Sequence, residues 1–373
     1  MLYQNVCLEA FAYTLPDEAV TSAEIESLLE PLYTRLHLPE GRLELMTGIT
    51  ERRFWPRGTL VGQKSAETAE KALRIAGVDK QQIGALVHGS VCRDFLEPAT
   101  GCGVHHRLGL PERCAVYDVS NACLGLLSAV VQVANMIELG QIRAGVVVGT
   151  ETGRALVENT IRQLNADTSL SRNDIKSAFA SLTIGSGSAA IVLCDRELSR
   201  TGNRLLGGVM QAATEHCQLC QGGQGASADA VAQPLMATDS EALMHEGVTA
   251  AQAAFAAFLA ELEWAGGDIQ KTFCHQVGRA HHRLLFQSLG LEPQIDFATF
   301  AFLGNTGSTA LPMTAALGIE NGHLQKNDRV ALLGIGSGIN VIMLGLDWQR
   351  SLVEKQPLVS GPHHQRGSVV PGR

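Results

Sequence analysis

Three side chains with catalytic chemistry stand in separate short loops of the sequence. They are Cys123 in "NACLG", His275 in "CHQVGRAH" and Asn305 in "LGNTGSTALP". Together they form a known kind of catalytic set, a thiol nucleophile with partners that activate it and orient the substrate. Taken singly, each has a structural explanation: a packed thiol, a hydrogen-bond donor at a strand end, and a turn. The set therefore depends on a fold that brings three distant loops together.

The surroundings of Cys123 favour a reactive thiol. The stretch "VYDVSNACLGLLSAVVQVANMIELG", residues 116–140, changes from a strand-like run to a helix-like run at this cysteine. A thiol at a helix N-terminus is favoured as the thiolate, because aligned peptide dipoles place positive potential there. The position predicts a depressed pKa for Cys123 and a nucleophilic role. Packing as a small buried hydrophobe is the alternative.

The chain repeats its own pattern at an offset of about 183 residues, as from Cys92 to His275. Each copy runs strand, small-residue turn, buried helix, Gly-containing loop and strand. The first ends in "GVVVGTETG" and the second in "VALLGIGSG". Strands that alternate with helices predict βαβ units and mostly parallel sheets. We expect an α/β fold, a duplicated five-layer α/β/α/β/α sandwich, with the ligand site at the carboxyl ends of the strands.

The repeat divides the chain into two halves and a tail. Residues 1–198 form the first half, which carries the cysteine, and residues 199–348 form the second, which carries the histidine and the asparagine. Residues 154–180 are a polar, helix-capable insertion without a counterpart in the second half, and they are expected to cap the site. Residues 349–373 lack periodicity and are expected to form a flexible tail.

Composition narrows the class of protein. The 373 residues are 45% hydrophobic and 18% charged, as in an ordinary globular protein, and the formal net charge of −8 argues against a general nucleic-acid binder. The sequence shows no secretory signal and no apolar run long enough for a transmembrane helix. Nine cysteines without the spacing of a disulfide framework predict free thiols in a reducing cytoplasm.

At these motifs the sequence resembles the thiolase superfamily, and within it the β-ketoacyl synthase III branch. The matching pieces are "DVSNACLG", "HQ", "GNTGS", "IGSGSAAIVL" and "LLGIGSGIN", and the resemblance covers residues 1–348. It implies that a thioester acylates Cys123. It also implies that His275 and Asn305 donate to the thioester carbonyl of a second substrate. The backbone amides of Cys123 and Ser337 would form the oxyanion hole.

Glu97 points to a particular group within that branch. The segment "SVCRDFLEPATGCGVHH" carries this carboxylate where ordinary type III synthases have none. It resembles the bacterial thiolases that condense two long-chain acyl-CoAs head to head in olefin biosynthesis. The resemblance implies that Glu97 crosses a homodimer interface and removes a proton from the α-carbon of the second acyl thioester. The structural alternative is a loop residue ahead of Pro98.

The resemblance implies an acyltransferase that forms a carbon–carbon bond by a ping-pong Claisen condensation, giving a β-keto product. Two fatty acyl-CoAs are favoured as substrates. The alternative is a decarboxylating 3-oxoacyl-ACP synthase III of fatty acid biosynthesis, which uses acyl-CoA and malonyl-ACP and would make acyl carrier protein a partner. A thioester hydrolase and a non-catalytic acyl-binding subunit are more remote, since Cys123, His275 and Asn305 all occur. The sequence does not give the acyl chain length.

Two basic clusters are candidates for binding the substrate carrier. No tightly bound cofactor is expected, and the carrier is coenzyme A or the phosphopantetheine of acyl carrier protein. The segment "ERRFWPRG" offers Arg52, Arg53 and Trp55 for the nucleotide, and "GRAHHR" offers Arg279 and Arg283 for phosphate. A solvated helix face is the alternative for the second cluster.

A metal site is not expected. His216, Cys217 and Cys220 in "EHCQLCQGG" have a spacing that could begin a zinc site. No second pair of cysteine or histidine ligands follows at a suitable distance in the sequence. The pattern therefore favours a protein without metal.

Overall fold

The computed structural model describes residues 1–223 and 235–353. The β-strands in this part of the chain are β1 (Val6–Thr14), β2 (Glu18–Thr21), β3 (Glu51–Phe54), β4 (Ile83–Gly89), β5 (Ala115–Val119), β6 (Ala144–Glu151), β7 (Gly187–Asp195), β8 (Arg204–Ala212), β9 (Cys220–Gly223), β10 (Leu235–Thr238), β11 (Lys271–Cys274), β12 (Arg329–Gly336) and β13 (Asn340–Asp347). The α-helices are α1 (Ser22–Leu28), α2 (Glu30–Leu36), α3 (Arg42–Thr47), α4 (Val61–Ala76), α5 (Thr100–Leu108), α6 (Gly125–Glu138), α7 (Arg154–Ala166), α8 (Lys176–Phe179), α9 (Ser240–Leu262), α10 (Arg279–Leu289), α11 (Phe300–Leu303) and α12 (Ala310–Glu320).

Two similar sheets form the frame of the molecule. In the first half the strand order is β1-β7-β6-β4-β5, and only β7 runs against the other strands. In the second half the order is β8-β13-β12-β11, and only β13 is reversed. The two sheets meet edge to edge where Cys7 of β1 pairs with Arg204 of β8, so the strand order continues through nine strands. The prediction of a duplicated α/β fold with mostly parallel strands is confirmed.

The helices form three layers around these two sheets. Helices α4 and α5 pack on the outer face of the first sheet, and α9 and α10 pack on the outer side of the second. Helices α6 and α12 lie between the sheets in one central core. A helix that is apolar on nearly all sides has to be buried, and the sequence of α12 is of this kind. Helix α6 is apolar except for one stripe that holds Ser128, Gln132 and Asn135. The five-layer sandwich is therefore the observed arrangement.

Three glycines bring the backbone of α6 directly onto the first sheet. A Cβ atom on Gly89 of β4 would lie 2.5 Å from the carbonyl oxygen of Gly125, the first residue of α6. A Cβ atom on Gly149 of β6 would lie 2.6 Å from the carbonyl oxygen of Gly89. Neither position can hold a larger residue without a shift of backbone. The start of α6, and with it the loop that carries Cys123, is fixed against the sheet.

The insertion at residues 154–180 packs against the N-terminal helices. Val157, Ile161 and Leu164 of α7 share a small core with Ile25 and Leu29 near α1. Its role as a cap over the site stays a prediction. Most of the predicted tail, residues 349–373, lies outside the described residues. Among the helices that the structure describes, none combines the length and apolar character needed to cross a membrane.

Candidate active site

Cys123 lies in the turn between the end of β5 and the start of α6. The preceding residue, Ala122, has a φ of 45°, a left-handed conformation that residues other than glycine seldom adopt and that is enriched at functional sites. A Cβ atom on Gly336, at the end of β12, would lie 3.5 Å from the Cβ atom of Cys123. Cys123 of the first half therefore packs against the end of β12 in the second half.

The thiol of Cys123 is not activated by its surroundings in the free chain. Burial, together with the negative charges of Cys220 and Glu151, raises its pKa to about 12. The backbone N–H groups of Ser337 and of Cys123 itself donate toward the sulfur and lower the pKa, but burial outweighs them. The prediction of a depressed pKa is therefore wrong for the unliganded protein. Desolvation of the thiolate costs more free energy than its interaction with the helix dipole contributes.

A pair of asparagines joins the cysteine loop to the loop of Ser337. The side-chain amide of Asn340 donates to Oδ1 of Asn121 at 3.1 Å and to the carbonyl oxygen of Ser337 at 3.3 Å. Asn121 in turn donates to Oγ of Ser128 on α6, at 2.9 Å. These bonds hold the two predicted oxyanion-hole amides together. Asn340 ends the motif "LLGIGSGIN", but its side-chain bonds to the two loops cannot be predicted from that motif alone.

His275 follows β11 directly and lies beside β12. Its backbone N–H donates to the carbonyl oxygen of Leu333 at 3.1 Å. Burial, together with the charge of the neighbouring His281, lowers the pKa of His275 to about 3. The imidazole is therefore neutral at physiological pH, with one N–H to donate and one nitrogen to accept.

A buried carboxylate fixes the elements on either side of His275. Asp296 accepts from Oγ1 of Thr272 at 2.9 Å and from Sγ of Cys274 at 3.4 Å, both on β11. Nε2 of His282 on α10 lies 2.9 Å from the same carboxylate. The sulfur, the imidazole nitrogen and the carboxylate lie within 4.8 Å of one another, a spacing that could hold a metal ion. Each contact pairs a donor with an acceptor, so hydrogen bonding accounts for the cluster.

The loop of Asn305 is held by the first half and by the residue after His275. Asn305 donates its N–H to the carbonyl oxygen of Thr183 at 3.0 Å, and its own carbonyl accepts from Gly185 at 2.8 Å. Its Oδ1 accepts from the Gly307 N–H at 3.0 Å, which leaves the amide nitrogen as the donor end. Oε1 of Gln276 accepts the N–H of Thr299 at 2.8 Å, at the start of α11. The "HQ" motif thus links the histidine to the asparagine loop.

Glu97 lies on the surface of its own chain, in the connection between β4 and α5. Its neighbours Phe95 and Leu96 are 61% and 87% exposed, and Val91 is 56% exposed. Within one chain the structure does not bury Glu97 with Cys123. Three apolar side chains beside an exposed carboxylate are the pattern of a surface that another molecule covers.

Two of the predicted nucleotide-binding residues have structural roles instead. Arg52 is fully buried, and its guanidinium donates to Oγ of Ser22 at 3.1 Å and to the carbonyl oxygen of Leu182 at 3.1 Å. Burial lowers its pKa to about 10. Trp55 is also buried, and its indole N–H donates to the carbonyl oxygen of Glu151 at 3.1 Å. Assigning these two residues to coenzyme A is therefore wrong, because neither can reach a solvent-borne nucleotide.

The other predicted carrier-binding residues remain accessible. Arg53 is half-buried and donates to the carbonyl oxygen of Pro16 at 3.2 Å. Arg279 and Arg283 are exposed at the start of α10, in the helix that follows His275. Arg279 lies against the backbone of Gly48, where an added Cβ atom would meet the arginine Cβ at 2.7 Å. The second basic cluster is thus placed at the surface near the histidine.

The candidate zinc spacing does not form a compact ligand set in the described part of the chain. Nε2 of His216 lies 3.4 Å from a carboxylate oxygen of Glu246 on α9. Sγ of Cys220 accepts from Oγ1 of Thr238 at 3.4 Å, in the pairing of β9 with β10. Cys220 instead belongs to the surroundings of Cys123, whose pKa it raises.

Family comparisons match both halves of the chain. The thiolase N-terminal domain family matches residues 46–182, and the C-terminal family of 3-oxoacyl-[acyl-carrier-protein] synthase III matches residues 259–348. Two relatives are both named acyl-CoA:acyl-CoA alkyltransferase. The one from Shewanella oneidensis is 41% identical over 351 residues, 93% of this chain and 100% of the relative. The one from Xanthomonas campestris pv. campestris is 35% identical over 348 residues, with the same coverage.

Solved structures of OleA from Xanthomonas campestris have the same fold. A cysteine-to-serine variant with bound lauric acid and lauroyl-CoA superimposes with a TM-score of 0.87 at 34% identity, covering 93% of this chain and 100% of that one. The cerulenin-bound protein gives a TM-score of 0.88 at 35% identity, covering 93% and 98%.

Proposed function

The chain belongs to the acyl-CoA:acyl-CoA alkyltransferase family of the thiolase superfamily, and on this basis we propose that it joins two fatty acyl-CoA molecules head to head. It is an acyltransferase that forms a carbon–carbon bond by Claisen condensation and gives a β-keto product. The observation that supports this chemistry most directly is the convergence of two backbone N–H groups on the sulfur of Cys123. Those donors suit the oxygen of a thioester under attack.

In the first half-reaction the sulfur of Cys123 attacks the carbonyl carbon of one acyl-CoA. The carbonyl oxygen gains negative charge and is stabilised by the N–H groups of Cys123 and Ser337. The bond to the coenzyme A sulfur then breaks, and coenzyme A leaves as the thiol with the proton that Cys123 loses. Because the free thiol has a raised pKa, proton loss accompanies attack rather than preceding it. The product is an acyl-Cys123 thioester.

In the second half-reaction a carbanion from the other acyl-CoA attacks that thioester. A malonyl donor would generate its carbanion by losing CO₂, whereas a simple acyl thioester has to lose an α-proton to a base. Glu97 of the partner subunit is the proposed base. His275 and Asn305 donate to the thioester oxygen of the same substrate as it becomes an enolate, and the neutral state of His275 suits a donor. The new carbon–carbon bond forms as Cys123 leaves.

The proposed carrier is coenzyme A, and the proposed assembly is a homodimer. Arg279 and Arg283 are exposed cations that suit its phosphates. The dimer is supported by β5, which is the edge strand at the end of the first half's sheet order. An edge strand of this kind can pair with another chain. The nine cysteines are free thiols, which supports the proposal of a reducing cytoplasm.

The test of the function is an incubation with a single long-chain acyl-CoA and no malonyl compound. We expect mass spectrometry to show a β-keto product that contains both acyl chains, together with released coenzyme A. The same incubation without enzyme, and one with malonyl thioester added, serve as controls. Product formation only with the malonyl thioester would assign the chain to the decarboxylating synthases. Free fatty acid as the only product would assign it to thioester hydrolases.

Assembly is tested by sedimentation at working concentration. We expect a two-fold homodimer whose interface buries more than about 2,000 Å², as in obligate dimers. Leu96→Asp should shift the equilibrium toward monomer and lower activity with it, because a charge replaces an exposed apolar side chain at the proposed contact. Leu45→Asp is the matched control, because Leu45 is also an exposed leucine but lies elsewhere, on α3. This variant should remain dimeric. A fully active monomer would contradict the dimer.

A further inference from the structure

A second buried carboxylate lies at the centre of the candidate site without a role in the chemistry above. Glu151 ends β6 and is 5% exposed. Its Oε1 accepts from the Val91 N–H at 2.9 Å, from the Ser308 N–H at 3.3 Å and from the Ser308 hydroxyl at 2.5 Å. Its Oε2 accepts from the Cys92 N–H at 3.1 Å. Four donors from two separate loops thus meet on one side chain.

The two loops are those that lead to the proposed base and to the substrate-binding asparagine. Val91 and Cys92 begin the connection that carries Glu97 a few residues later, and Ser308 belongs to the turn that starts at Asn305. A Cβ atom on Gly307, in the same turn, would lie 3.3 Å from the Glu151 carboxyl carbon. The carboxylate of Glu151 therefore contacts one loop from each half of the chain directly, with no other side chain in between.

We propose that Glu151 is a positioning residue for condensation, which holds the Glu97 segment and the Asn305 turn in fixed relation to each other. This inference rests on the proposed function, since it assigns a role only if a base and an asparagine act in a second half-reaction. In the dimer, the Ser308 bonds serve the chain's own site, and the bonds to Val91 and Cys92 serve the base that reaches the partner's site. One side chain would thus align both contributions.

A carboxylate is required by the number and placement of the donors. Both oxygens accept, so a glutamine in the same place would set its NH₂ group against the Cys92 N–H, a contact of two donors. Glu151→Gln therefore keeps the shape of the side chain and the bonds from Ser308 and Val91, but it loses the Cys92 bond and so weakens the attachment of the Glu97 segment. Ser308→Ala weakens the attachment of the Asn305 turn instead, because it removes the 2.5 Å hydroxyl bond to Glu151. The Cys92 bond stays in place.

The experiment measures acylation and condensation separately in these two variants. We expect each to slow condensation of paired acyl-CoAs by about 10- to 100-fold, the effect of a small misplacement of reacting groups. Acylation of Cys123 should not be slowed. Glu9→Gln is the matched control, because Glu9 is a buried carboxylate that accepts from Ser199, Arg200 and Thr201. It lies near the far end of β7 from Glu151, so condensation per folded molecule should stay at the wild-type level.

A second readout separates positioning from a general loss of structure. The negative charge of Glu151 is one of the causes that raise the pKa of Cys123, so Glu151→Gln should move the midpoint of its alkylation pH profile to lower pH. Glu9→Gln and Ser308→Ala should leave the midpoint unchanged, because both keep that charge.

The outcomes are distinct from those of the proposed function. If the wild type fails to condense paired acyl-CoAs, the function is wrong before any variant is compared. If the wild type condenses them and Glu151→Gln and Ser308→Ala match it, Glu151 does not position the site. Equal losses in Glu151→Gln and Glu9→Gln, or an unmoved alkylation midpoint in Glu151→Gln, also overturn the inference. If Glu151→Gln does not fold, Ser308→Ala decides alone, since it removes only a hydroxyl group.

Discussion

Replacement of Glu97 by alanine is expected to leave the acylation of Cys123 intact and to slow condensation of two acyl-CoAs by about 10² to 10⁴-fold. The physical reason is that a simple acyl thioester cannot form its carbanion without a base. Glu97→Asp should recover part of the loss, because the carboxylate survives but retreats by one methylene. The measurement is the rate of β-keto product formation beside a separate assay for the acyl-enzyme.

The chain offers a matched control for this substitution. Glu292 is another exposed glutamate that precedes a proline, and Glu292→Ala should have no effect on either half-reaction. If malonyl thioester is the true donor, Glu97→Ala should be nearly silent, while His275→Ala or Asn305→Ala does the damage. Full activity of Glu97→Ala on paired acyl-CoAs would exclude the base assignment.

The crossing of Glu97 into the other subunit can be tested with the same variant. In a co-expressed mixture of Glu97→Ala and Cys123→Ala chains, each heterodimer has one site with an intact cysteine and an intact glutamate from the partner. Random pairing makes half of the dimers mixed, so about a quarter of wild-type activity should return. If Glu97 served its own chain's site, mixing two inactive variants would restore nothing.

Substitution of Cys123 is expected to abolish the acyl adduct and to reduce condensation by at least about 10⁴-fold. Intact-mass measurement after mixing with acyl-CoA should show the adduct on the native chain and not on Cys123→Ser or Cys123→Ala. Cys220→Ser is the control, because Cys220 is a thiol of the same surroundings that the mechanism does not use. An adduct on Cys123→Ala would move the nucleophile elsewhere.

The pH dependence of the thiol follows from its burial. An unperturbed cysteine has a pKa of about 8.5, and the pKa of Cys123 is raised to about 12. A raised pKa leaves the neutral thiol as the dominant form throughout the physiological range, so alkylation of the free enzyme should be slow at pH 7 and rise only in alkaline solution. Acylation by acyl-CoA should be fast by comparison, because bound substrate supplies the carbonyl that the two amides polarise.

The parts of the site that the sequence could predict are those fixed by a repeated strand-and-turn pattern. The repeat predicts Cys123, His275 and Asn305 at strand ends. The structure has Cys123 after β5 and His275 after β11, whereas Asn305 follows the short helix α11. Residues at the ends of like-directed strands meet at one edge of a sheet. The carboxyl-end rule and the family resemblance therefore sufficed for the outline of the site, whereas the catalytic roles stay predictions.

The parts that the sequence did not predict depend on burial and on long-range pairing. Arg52 and Trp55 look like nucleotide-binding residues because they are charged and aromatic, but their exposure is set by the packing of residues far away in the chain. Glu151, at the end of β6, and Asp296, in a loop, look like ordinary acidic residues in the sequence, and only the structure shows which backbone and side-chain donors surround them. The shift in the pKa of Cys123 is predicted in the wrong direction, because the sequence shows the local helix dipole but not the desolvation of the thiol.

The backbone contact beneath α6 limits how the enzyme could be redesigned for other acyl lengths. Enlarging a pocket relies on replacing large side chains by small ones, and Gly89, Gly125 and Gly149 have nothing to remove. Larger side chains are excluded at these positions as well, since a methyl group on Gly89 would lie 2.5 Å from the Gly125 carbonyl oxygen. Variants with a different substrate range should therefore carry their changes elsewhere and keep this contact as it is.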